Sequence, residues 1–186
     1  RIEVPRPLRW SSDGEAVELL DQTLLPAEER YLRLESAEEV AEAISSLRVR
    51  GAPAIGIAGA MGLVLGMERA LRDLRGEAAD ASLESRLSGR LESLRDSLKR
   101  TRPTGRNLEW ALERLVQAYR RHVSDGVDAG VEALRREADA IRREDEEMCR
   151  RIGEAGLEVL PPDTGVGAGG GEATGLLTHC NAGALA

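Results

Sequence analysis

The sequence predicts a mainly helical N-terminal domain carrying a small β-sheet, followed by the opening strand of a second, truncated domain. Three observations predict it. The first 35 residues alternate apolar and polar positions between turn signals, as short strands do. From Ser36 onward apolar residues recur at helical spacing. A Gly- and Pro-rich stretch at 161–173 then interrupts the chain before a last apolar run.

Ala16 to Asp21 is a compact apolar run, Asp13-Gly14 a turn signal, and Tyr31-Leu32-Arg33-Leu34 an alternating strand. Ser36, with Glu39 three positions on, forms a capping box, and Val40, Ala41, Ile44 and Leu47 hold one helical face. A second helix opens at Pro53, a residue favoured in a first turn. Its Gly56, Gly59, Gly62 and Gly66 make a bare face that predicts close packing against another backbone. A third helix carries Leu83, Leu87, Leu91, Leu94 and Leu98 as core. A fourth opens at Thr104 and runs through Leu108, Leu112 and Leu115 to about Arg121. The last spans Asp128 to Ala155, burying Val131, Leu134, Ala138, Ile141 and Met148. This divides the chain into a helical domain over 1–160 with its sheet at 1–35, a linker over 161–173, and the start of another domain over 174–186.

Composition excludes several functions. The chain has 186 residues, 41% of them hydrophobic, but no Phe, so its core must be built from aliphatic side chains. With 26 basic and 33 acidic residues the net charge is −7, which argues against a nucleic-acid partner. Arginine pairs such as Arg135-Arg136 alternate with acids and read as a solvated helix face. The uncharged run from Gly51 to Met67 is shorter than a bilayer span and contains Pro and glycines, so it reads as a buried helix, not a membrane segment. Two cysteines are too few for a disulfide framework, no leader opens the chain, and the expected compartment is the cytoplasm.

Three places carry chemistry. Arg50-Gly51-Ala52-Pro53 sets an arginine just before a helix start, where unpaired N–H groups and the helix dipole favour a phosphate. Thr101-Arg102-Pro103-Thr104 repeats the arrangement, with Pro103 holding Arg102 extended. For either arginine, the plain alternative is a residue of a surface turn. The third place is Cys180 at the end of the last apolar run, where a thiol could transfer protons or attack; equally, it could be a small buried hydrophobe. Cys149, beside Met148, reads as structural, and His122 as a solvated charge at a helix end. His179 adjoins Cys180, but neighbouring strand residues face opposite ways. No spacing suits a metal site, and the Gly-rich stretch lacks a P-loop lysine.

Read in order, Asp21-Gln22-Thr23-Leu24-Leu25-Pro26, Arg50-Gly51-Ala52-Pro53-Ala54-Ile55-Gly56-Ile57, Thr101-Arg102-Pro103-Thr104 with Asn107-Leu108, and Leu177 to Ala186 resemble the S-methyl-5-thioribose-1-phosphate isomerase family. The resemblance implies a cofactor-free aldose–ketose isomerase of methionine salvage, commonly a homodimer. Its fold would join the helical domain to a C-terminal Rossmann-like domain. It also implies that Arg50, Gly51, Ala52 and Arg102 hold the substrate phosphate and that Cys180 is catalytic, with no metal. Two features depart from the family: its catalytic aspartate would lie beyond Ala186, and the stretch over 161–173 is longer than the usual connection. The 186-residue chain is therefore expected to be inactive without a missing C-terminal half. The same fold also serves ribose-1,5-bisphosphate isomerases, isomerases of 5-deoxyribose 1-phosphate, and regulatory subunits of the translation-initiation exchange factor. Intact Arg50–Pro53 and His179-Cys180-Asn181 speak against the regulatory alternative, which has no need of the thiol.

Overall fold

The computed structural model describes residues 5–75, 82–160, 177–179, 183 and 185. Its sheet is an antiparallel meander of β1 (Leu8–Trp10), β2 (Val17–Leu20) and β3 (Tyr31–Leu34), in the order β1-β2-β3. The register pairs Leu8 with Leu19, Trp10 with Val17, and Val17 with Leu34, so one face collects apolar side chains for the core. On the other face Glu18 lies between Arg9 and Arg33, and Arg9 bonds it at 2.7 Å. The turn at Asp13-Gly14 forms as expected, with Gly14 at φ +75°.

Five helices follow: α1 (Ala37–Ser45), α2 (Ala52–Arg75), α3 (Leu83–Thr101), α4 (Arg106–His122) and α5 (Val127–Val159). At the start of α1 the Ser36 hydroxyl accepts the Glu39 amide. The Glu39 carboxylate reaches back to the amide of Glu35, one residue short of the reciprocal bond a capping box makes. The helix ends in a Schellman turn: the Leu47 amide donates to Ile44 O and the Arg48 amide to Ala43 O. Leu47 occupies the left-handed position of that turn, at φ 61°, where glycine is usual. It is thus outside the helix and 39% exposed, not on the buried face its spacing predicts.

The second helix is the core. Every residue from Ala54 to Met67 is buried, and α1, α3, α4 and α5 all pack on it. Its length and apolarity would suit a membrane span, but its faces are covered by other helices, as the buried-helix reading expects. The glycine face explains how neighbours come so close. A Cβ on Gly56 would stand 3.0 Å from the Asn107 carbonyl oxygen, so here backbone does meet backbone. At the other three, the contacts are mainly side chains: Leu108 at Gly59, Val40 at Gly62, Leu94 and Ala37 at Gly66.

Arg135 of α5 fastens the sheet to this core. Its guanidinium binds both Glu68 oxygens at 2.7 Å, donates to Gly14 O at 2.9 Å and lies over the Trp10 ring at 4.2 Å. The Trp10 indole donates to Asp139 at 3.1 Å. The far half of α5 departs from expectation. Met148 is 52% exposed instead of buried, on the wall of a cavity it shares with Pro53, Ile57 and Trp110, and Cys149 is exposed as well. The linker at 161–173 lies outside the described residues. So do residues 174–176 of the expected last strand, while Leu177, Thr178 and His179 carry no regular structure.

Gly56→Ala is expected to destabilise the protein by about 1–3 kcal/mol, because the new methyl meets backbone that cannot rotate away. A urea unfolding curve measures it; an unchanged midpoint would show that α4 can retreat freely.

Candidate functional site: a cavity at two helix N-termini

Two helices begin at one cavity of about 460 Å³, lined by Leu47, Arg50, Gly51, Ala52, Ile55, Arg102, Gly105, Asn107 and Leu108. The sequence-predicted residues Arg50, Gly51, Ala52 and Arg102 all lie on its wall. Gly51 precedes α2 at φ 96°, a conformation open to glycine, and its carbonyl accepts the Ile55 amide. It has no side chain to satisfy the first amides of α2, and Pro53 in that turn has no N–H to offer. Gly105 stands in the same place before α4, again without a side-chain cap.

The start of α4 differs from the prediction. Arg102 caps the C-terminus of α3, and the Gly105 amide closes a turn onto Arg102 O at 2.8 Å. Pro103 and Gly105 take the second and fourth places of that turn, where those residue types are favoured. The helix therefore opens at Arg106 instead of Thr104. Arg102 is not in the extended conformation expected of a residue before proline: its φ of −142° suits one, but its ψ of 79° falls short, because its carbonyl is drawn into the turn with Gly105. A Lys99–Glu109 ion pair at 2.5 Å ties α3 to α4 across the turn.

The charge at the cavity is uncompensated. Arg48, Arg114 and Arg135 are held by carboxylates. Among the described residues, by contrast, the side chains of Arg50 and Arg102 make no hydrogen bond or ion pair. Two free guanidinium groups and two uncapped helix starts face one space, an arrangement suited to a phosphate-sized anion. Leu47, Ile55 and Leu108 supply its apolar side. No sequence signal marked Leu47, whose role depends on an unusual left-handed turn. Gly105 could have been found from its place after Pro103.

Asp21, 1% exposed, binds Arg48, two residues before Arg50. One carboxylate oxygen accepts the Thr23 amide at 3.0 Å and hydroxyl at 2.6 Å, and the other accepts Arg48 at 2.5 Å. Burial alone would raise its pKa, but the Thr23 and Arg48 bonds outweigh it and hold the carboxyl below its usual range. The Gln22 amide donates to Arg48 O at 2.9 Å, so this turn supports the strand of chain leading into Arg50.

Cys180 lies outside the described residues, and His179 is exposed. The Cys149 thiol is pushed up by partial burial and by Asp145, the opposite of an activated nucleophile. His122 is half-buried, not a fully solvated charge, and its Nδ1 lies 2.9 Å from Ala118 O. Among the described residues no three His, Cys, Asp or Glu side chains converge as a metal would need.

The family model described as the initiation factor 2 subunit family matches residues 48–186, which begins two residues before Arg50. The chain belongs to the initiation factor 2 subunit family. Within that family it is 46% identical over 180 residues to the methylthioribose-1-phosphate isomerase of Symbiobacterium thermophilum, covering 97% of this chain and 45% of the relative. It is 41% identical over 180 residues to the 5-deoxyribose 1-phosphate isomerase of Petrotoga mobilis, covering 97% and 46%. Among solved structures, 5-methylthioribose 1-phosphate isomerase from Pyrococcus horikoshii superposes with a TM-score of 0.74 at 36% identity, over 86% of this chain and 42% of that one. The delta subunit of translation initiation factor eIF-2B from A. fulgidus gives 0.69 at 35% identity, over 83% and 42%. The chain thus spans about half the length of the relatives it matches.

Because the folded pKa of Asp21 is depressed, its stabilisation is complete above the unfolded value of about 4 and is lost as pH falls through the folded one. The gap in urea midpoint between the native protein and Asp21→Asn should therefore be widest at pH 7 and narrow below about pH 4. A gap that stays constant down to pH 3 would remove the Asp21–Arg48 pair from this account.

Proposed function

We propose that the chain forms the phosphate-holding part of an aldose–ketose isomerase that converts 5-methylthioribose 1-phosphate to 5-methylthioribulose 1-phosphate. The convergence of Arg50, Arg102 and the starts of α2 and α4 on one cavity carries the proposal. The isomerase names of its relatives support it. The homodimer, the cytoplasmic setting and the place in methionine salvage belong to the same reading.

The chemistry accounts for such a cradle. A phosphate on the anomeric oxygen blocks the ring opening that free sugars undergo, so the enzyme must open the ring with that phosphate attached. Hydrogen then moves between C2 and C1. Fixing the phosphate between two arginines and two sets of amides orients C1–C2 toward an acid/base group. In this reading Cys180 is that group, and the second lies in the part of the relatives' length this chain does not span.

A second reading draws on the eIF-2B delta likeness: a regulatory subunit that binds phosphorylated ligands without turning them over. Both readings need the anion site, so only turnover separates them. A protein of the relatives' full length, given methylthioribose 1-phosphate, should produce a new ketose-phosphate signal in phosphorus NMR, while residues 1–186 alone should not. Cys180→Ala should slow the full-length reaction by about a hundredfold or more. Arg102→Ala should raise KM about tenfold, the loss of one charged phosphate contact. A folded full-length protein that binds the sugar phosphate without converting it would favour the regulatory reading, and near-normal turnover by Cys180→Ala would end the role of that thiol.

A further inference from the structure

A second cavity, of about 370 Å³, adjoins the one at the two helix starts. Both take walls from the opening turns of α2 and α4, and Asn107 lines both. A ligand anchored in the first therefore has a single side chain to pass before it enters the second.

The chemistry of the second cavity is different. Pro53, Ile57, Trp110, Ile141 and Met148 give it an apolar wall, and among the described residues no arginine or lysine lines it. Ile57 and Ile141 are buried, whereas Trp110 is 53% and Met148 52% exposed. Two large apolar side chains half-open in one cavity offer area that an apolar ligand covers. Arg114 steadies the indole: its guanidinium lies 5.3 Å from the ring centroid and is itself bound by Glu137 and Glu144. The Glu144 charge in the cavity wall is thereby compensated. Two polar groups of the wall are not: among the described residues the side chains of Asn107 and Asp145 make no hydrogen bond or ion pair. Burial, with Glu146 nearby, pushes the Asp145 carboxyl above its usual range. An acceptor so placed gains from a hydroxyl donor and loses from a second anion.

We propose that this cavity takes the C5 end of the sugar whose 1-phosphate sits in the first, with Trp110 and Met148 selecting an apolar 5-substituent over a charged one. The proposal rests on the isomerase reading given above and adds to it which sugar the site accepts. A methylthio group would lie against Trp110 and Met148, where sulfur beside an aromatic ring gains beyond simple burial. The sugar hydroxyls would meet Asn107 and Asp145. A phosphate on C5 would instead enter a space with apolar walls and an unpartnered carboxylate, so ribose 1,5-bisphosphate is rejected.

The test compares three ribitol 1-phosphates, carrying methylthio, hydroxyl or phosphate at C5, with inorganic phosphate as the reference. Their C1 is at the alcohol level, so they bind without isomerising. Calorimetry gives each Kd for a protein of the relatives' full length, native and with Trp110→Ala or Met148→Gln, two changes at half-exposed positions. The native protein should bind the methylthio compound about tenfold more tightly than either of the other two sugars. Each substitution should weaken that compound by about three- to tenfold, leaving the hydroxyl compound and inorganic phosphate within about twofold. Equal affinities in the native protein would overturn the proposal. A methylthio preference that both variants keep would do so too, and if they also lost subunit association, it would assign the two side chains to a protein interface. A native protein that shows the preference but does not convert methylthioribose 1-phosphate would end the isomerase reading and leave the subsite standing. Turnover without the preference would do the reverse.

Discussion

The structure depends on a single constraint, a helix buried on every side. From Ala54 to Met67 no residue of α2 reaches solvent freely, so four other helices must close around it. Glycine makes this possible by letting α4 approach until the Asn107 backbone touches the bare position at Gly56. That approach also sets the site. Since α4 is drawn against the first turns of α2, the starts of both helices reach the surface together, and their unpaired amides share one cavity. Core packing and anion recognition therefore have the same geometric cause.

Electrostatics follows from that placement. The chain is acidic overall, and its other arginines near the core, Arg48, Arg114 and Arg135, are neutralised by neighbouring carboxylates. At the cavity, Arg50 and Arg102 have no acidic partner among the described residues. Uncompensated positive charge beside two helix dipoles costs stability in the empty protein and is relieved by an anion. Asp21 holds Arg48, and among the described residues the charged side chains on the cavity wall are those of Arg50 and Arg102.

Local signals made much of this legible in the sequence. The capping serine at Ser36, the leucine stripe of α3, the buried run of α2 and the two arginines near helix starts are all encoded within a few residues. Features encoded by tertiary contact were not legible. Leu47 holds helical spacing with Val40 and Ile44, yet the chain turns left-handed beneath it, and only the Schellman bonds to Ala43 and Ile44 reveal why. The start of α4 slipped to Arg106 because Pro103 and Gly105 spend two residues on a turn. Met148 kept the spacing of a core residue but stands at an open cavity beside the starts of α2 and α4, which leaves it 52% exposed. The bonds of Asp21 to Arg48 and of Gln22 to Leu185 join partners far apart in sequence, and no periodicity could announce them.

The central claim is that Arg50, Arg102 and both helix starts serve one anion. Titrating the protein with inorganic phosphate and following the backbone amide shifts of Gly51, Ala52, Gly105 and Arg106 tests it most directly. A single site predicts that all four shift with one common Kd and one phosphate per chain, and that Arg50→Ala or Arg102→Ala weakens the response at both helix starts together. Shifts confined to one helix start, or two different Kd values for the two, would contradict it.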